Sequence, residues 1–148
     1  MEKGKLSWCL KQKRGISIID INNELSKSYI NRAIDDFNNL KKQNKVWKVI
    51  FSYYICYNSF TSLLYKYGIK SEIHSCTIGL MDLFDLLKDK KDFFNKLKEE
   101  RENVQYYLKE PIKINIDEIK NFLDIIKLEL DEVNQNKINL VLNKIKNE

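Results

Sequence analysis

The stretch GIKSEIHSCTIGLM, residues 68–81, contains the only histidine of the chain, His74, with Cys76 two positions further on. An imidazole titrates near neutral pH, so His74 has the chemistry of a general base. The structural alternative is a histidine at a helix N-terminus, hydrogen-bonded to backbone or to a glutamate. Metal ligation by His74 with Cys76 is disfavoured. Residues two apart on a helix point about 200° from one another, and no second Cys/His pair stands within reach in sequence. No metal or cofactor is expected.

A second group lies in RENVQYYL, residues 101–108. Arg101 with Tyr106 or Tyr107 joins a permanent cation to flat rings, a set suited to gripping phosphate and stacking on a base. Its structural alternative is a buried arginine paired with an acid such as Glu72, the tyrosines serving as packing. The aromatic run Phe51, Tyr53, Tyr54, Tyr57 and Phe60 falls inside the most apolar segment and reads as core and dimer contact. The lysines 41, 42, 45 and 48 read as a solvated turn, with RNA backbone contact as the alternative.

These side chains must be held by a scaffold, and composition indicates which kind. The chain has 148 residues, 43% of them hydrophobic and 32% charged, which excludes wholesale disorder and suits one domain with a real core. Four glycines and one proline leave too little turn chemistry for an all-β chain. The expectation is an all-α protein, an antiparallel four-helix bundle over residues 21–133. A lead-in at 1–20 packs on the bundle, and a C-terminal helical extension occupies 134–148.

Residues 1–48 hold eleven Lys/Arg against five Asp/Glu, and residues 49–148 hold fifteen against sixteen. Such asymmetry suits a nucleic-acid face; the alternative is a solvated lysine surface, favoured by the lack of an arginine cluster. VWKVIFSYYICYNSFTSLLY approaches bilayer length, but Lys48 and several polar residues interrupt it, so it reads as a central packed helix and no membrane partner is expected. The start MEKGKLSWCLKQKR has no apolar leader, and a cytoplasmic location is expected. The odd cysteine count, Cys9, Cys56 and Cys76, argues against a disulfide framework and suggests that Cys56 and Cys76 are small buried hydrophobes.

Apolar periodicity predicts the elements in turn. Residues 1–20 read as irregular. The first helix carries Ile21, Leu25, Tyr29, Ala33, Phe37 and Leu40 as its stripe, capped by Asn22 or Asn23. The second runs from Val46 to Tyr67 and stops at Gly68. The third runs from an N-cap at Ser71, with Glu72 in its first turn, to about Leu87. The fourth starts near Asp92 and is closed by Pro111. The fifth is capped by Asn115 or Asp117 and carries Ile119, Phe122, Leu123, Ile126 and Leu130, and NQNK breaks it before the last piece.

Read in order, SYYICYNSFTSLLYKYGIKSEIHSCTIGLM and RENVQYYL resemble the HEPN superfamily, in particular a branch of small stand-alone archaeal proteins. CLKQKRGISIIDINNELSKSYINRAIDDF also resembles that family's basic, glycine-containing approach to its first helix. The similarity spans about Cys9 to Leu130. The resemblance implies a helical bundle that pairs as a homodimer. It also implies one of several roles: a metal-independent endoribonuclease of toxin–antitoxin or defence type, a partner of a small nucleotidyltransferase, or a non-catalytic nucleotide- or RNA-associated module. The ribonucleases use an arginine followed four to six residues later by a histidine. Before His74 those positions hold Lys70, Ile69 and Gly68. Lys70 supplies charge without the guanidinium fork, and Arg101 is the residue able to fill the place. The expectation is therefore a degenerate or non-catalytic module, with an endoribonuclease using His74 as base as the alternative.

Overall fold

A computed structural model describes residues 1–2 and 4–147; Lys3, in the predicted lead-in, and Glu148, in the predicted extension, lie outside the described residues. The chain is mostly helical. Its elements are α1 (Lys5–Lys11), β1 (Ile16–Ile18), α2 (Asn23–Asn38), α3 (Lys45–Lys66), β2 (Ile69–Ser71), α4 (His74–Gly79), α5 (Lys91–Tyr106), α6 (Ile116–Glu132) and α7 (Gln135–Lys146), with single 3₁₀ turns at Leu40–Lys42, Leu80–Leu83 and Lys88–Lys90. No helix among the described residues is long and apolar enough to cross a membrane.

Polar side chains set the helix starts where the sequence places them. Asn22 accepts from the Leu25 amide, Asn44 from Trp47, Asn115 from Asp117 and Asn134 from Lys137, each satisfying a donor that the first turn leaves orphaned. Helix α3 is the axis of the fold. Val49, Tyr53, Ile55, Cys56, Phe60, Leu63 and Leu64 are all buried along it, and it packs against α2, α5, α6 and β2. It ends at Gly68, whose φ of 75° is open to glycine and strained for other residues.

Four local expectations are corrected. The lead-in is not irregular: it forms α1 and the strand β1, which pairs antiparallel with β2 in the register Ile16↔Ser71, Ser17↔Lys70, Ile18↔Ile69. The third predicted helix does not start at Ser71. That residue belongs to β2, its hydroxyl accepting from Thr77, and the helix proper is the short α4 followed by 3₁₀ turns. Strand pairing competes for the backbone of residues 69–71 and wins. Helix α5 ends at Tyr106, well before Pro111, where Leu108 adopts a φ of 51°.

The stripe predicted for the first helix holds at Ala33, Phe37 and Leu40 but not at its start. Leu25 and Ile21 are exposed, while Ser26 and Ala33 are buried and Ile30, Ile34 and Phe37 pack on the core. Small residues permit close approach to α3, and Ser62 Oγ donates to Ser26 O at 2.6 Å with the two hydroxyls 3.2 Å apart.

The cysteine expectation is overturned most plainly. Cys9 on α1 and Cys76 on α4 form a disulfide with Cα atoms 5.9 Å apart, and Cys56 is the buried free thiol. An odd count leaves room for one bridge, and the short α1 brings Cys9 under α4. Gly15 makes the return turn possible, since a Cβ there would meet the Cys9 carbonyl oxygen.

Candidate functional site

Three elements converge on one tyrosine. Tyr53, fully buried on α3, places its hydroxyl 2.5 Å from His74 Nδ1, and the two rings lie 16° from coplanar with centroids 5.7 Å apart. His74 is the first residue of α4. Tyr57, one turn beyond Tyr53, stacks on the imidazole at 4.3 Å. From the other side the guanidinium of Arg101, on α5, sits 4.6 Å from the Tyr53 ring centroid. His74 thus lies at the hydroxyl edge of Tyr53, and Arg101 lies over its face.

Arg101 is buried, with 6% of its surface exposed, and is incompletely satisfied. One terminal nitrogen donates to Tyr54 Oη at 3.3 Å and to Gln105 Oε1 at 3.2 Å. The Glu102 carboxylate is 4.0 Å from the other and is itself held by Lys98 at 3.0 Å. The buried Nε has no hydrogen-bond partner among the described residues. Glu72, the acid considered from sequence, pairs instead with Arg14 at 3.7 Å and Lys70 at 4.0 Å.

Electrostatics follow the packing. Burial, then the positive charges of Arg101 and Lys98, lower the His74 pKa below its ordinary value of 6.5 against the opposing pull of Glu102. The imidazole is neutral at pH 7. Burial raises the Tyr53 phenol well above its ordinary value, so it keeps its proton. The Tyr57 phenol is raised by the same cause.

Of the residues singled out in sequence, the structure brings His74 and Arg101 together through Tyr53. It adds Tyr106, two-thirds exposed, whose ring is 5.7 Å from the guanidinium. Tyr107 is exposed beyond the end of α5, with Lys109 Nζ 6.0 Å from its ring. Lys70 stands on β2 and makes its ion pair with Glu72, and a strand and a turn rather than a helix separate it from His74. The sulfur of Cys76 is committed to Cys9.

The sequence pattern puts Tyr53, Tyr54 and Tyr57 in core and dimer contact rather than in a stacking platform. They do pack, but they also carry the two polar groups. The available signal was the i, i+4 pair of tyrosines on the helix preceding His74.

The guanidinium over the Tyr53 ring and the imidazole at its hydroxyl place two nitrogen-bearing groups on one buried tyrosine. No protein-family model, no curated protein and no solved structure matches this chain.

Proposed function

We propose that this chain is a HEPN-like module: a four-helix bundle built on α2, α3, α5 and α6 that pairs with a second copy and holds the phosphate of a nucleotide or RNA at Arg101 and His74. One observation carries the reading. A guanidinium buried to this degree, with an unpartnered Nε and its carboxylate, Glu102 at 4.0 Å, shared with Lys98, is short of the negative charge that buried cations require. Phosphate is the ligand whose charge and geometry answer that deficit. Tyr106 offers a stacking face beside it.

Self-association is supported by apolar and aromatic side chains left in solvent near the site: Tyr106, Tyr107 and Leu108 at the end of α5, and Trp47 at the start of α3. Where the endoribonucleases of the family carry a histidine after their arginine, the residue five positions after Arg101 is Tyr106. That favours a non-catalytic role, and a nucleotidyltransferase partner belongs to the same reading.

The test is direct. Purified protein is incubated with mixed RNA in EDTA, 2′,3′-cyclic phosphate ends are sought, and RNA binding and sedimentation are measured in parallel. Salt-sensitive RNA or nucleotide binding by a dimer, without cyclic ends, is expected. Cyclic ends that vanish in His74→Ala would overturn the non-catalytic reading in favour of the endoribonuclease.

A further inference from the structure

The hydroxyl of Tyr53 has one hydrogen to give and one partner to give it to. It is enclosed, and among the described residues its sole side-chain neighbour at hydrogen-bond distance is His74 Nδ1, at 2.5 Å. The Arg101 guanidinium lies over the ring and is donor-only, so it cannot accept that hydrogen. Were Nδ1 to carry the hydrogen and donate to the tyrosine oxygen, the phenolic O–H would be a buried donor with no acceptor, a loss of about 1–3 kcal/mol.

We infer that Tyr53 is a positioning residue that donates to His74 Nδ1 and fixes the neutral imidazole with its hydrogen on Nε2. The nitrogen left for a ligand is therefore a donor. The site takes a ligand that only accepts, a phosphate oxyanion, and is not built to remove a proton from a hydroxyl.

This rests on the phosphate-binding reading above and sharpens it. Nδ1 has its lone pair occupied by Tyr53, and Nε2 has none to offer while the ring is neutral. Attack by a ribose 2′-hydroxyl needs a base with a free lone pair in reach. The same Nε2–H, on the ring held by the tyrosine whose face carries Arg101, supplies a second donor to a bound phosphate. Stacking by Tyr57 at 4.3 Å holds the ring in plane. Tyr53 thereby orients one ligand group through its hydroxyl and supports the other through its face.

The decisive experiment is ¹⁵N NMR of the full-length protein at about pH 8, above the ordinary histidine pKa. For His74, Nδ1 should show the shift of an unprotonated ring nitrogen and Nε2 that of a protonated one. Inorganic phosphate, titrated in, should move the Nε2–H signal. Tyr53→Phe should release the tautomer to a mixture and weaken phosphate binding about five-fold, the net worth of one hydrogen bond.

A protonated Nδ1 in the wild-type protein, or shifts unchanged in Tyr53→Phe, would overturn the inference. If the wild-type shifts are as expected but phosphate moves nothing, the tautomer assignment stands and the phosphate-binding reading falls.

Discussion

The two faces of α3 solve the problem of buried polar groups in opposite ways. Toward α2 the serine pair is small and complete: Ser26 and Ser62 satisfy each other and a carbonyl, and Ala33 lets the backbones approach. The Ser52 and Thr61 hydroxyls elsewhere on α3 have no partner among the described residues. Toward α4 and α5 the groups are large, aromatic and incomplete, ending in a guanidinium with an orphaned Nε. A finished network explains itself as structure. An unfinished one around a cation, at a place where folding alone would favour a hydrophobe, points to something that binds there.

The contrast can be broken most severely at the disulfide, which anchors only one of the two faces. Under non-reducing conditions Cys9→Ser should lower stability by roughly 2–5 kcal/mol, read from a denaturant melt. Hydrogen exchange should quicken in α4 while α2 keeps its protection. Equal loosening of both helices would show that the bridge does not belong to the His74 face in particular.

Next in size is overpacking on the opposite face. Ala33→Leu has no room and should cost about 1–3 kcal/mol while leaving phosphate affinity unchanged. A fall in affinity matching the fall in stability would mean that the two faces are not separable.

The smallest effect is a pH slope. The folded pKa of His74 lies below the 6.5 of the free side chain, so the unfolded chain binds more protons. The contribution of neutral His74 is fully present above about pH 6.5 and is lost as pH falls from there through the lower folded value. His74→Asn, with an acceptor near the place of Nδ1, should flatten that part of the curve of stability against pH, whereas Ser62→Ala should leave it intact.

Much of the scaffold is legible in the chain because it is written locally. Asn22 and Asn115 stand at helix starts, Gly68 at a stop, and the apolar density of residues 46–67 marks the central helix, whereas the caps at Asn44 and Asn134 read in sequence only as breaks. What was not legible depends on distant partners. Strand β2 exists because β1 lies beside it, the burial of Ser26 on α2 follows from a serine 36 residues away, and Cys9 finds Cys76 across 67 positions. The candidate site has the same divided character. His74 and Arg101 stand out by residue type, but Tyr53 looks like any core aromatic until three helices meet on it.

The central claim is that Arg101 is kept for a ligand and not for the fold. Calorimetric titration of adenosine 5′-monophosphate into the wild-type protein and Arg101→Met, with thermal melts of both, tests it most directly. The account predicts that Arg101→Met melts within a few degrees of the wild type, or higher, and loses at least ten-fold in nucleotide affinity. An Arg101→Met protein destabilised by about 3 kcal/mol or more, together with a wild type that binds no nucleotide, would contradict it.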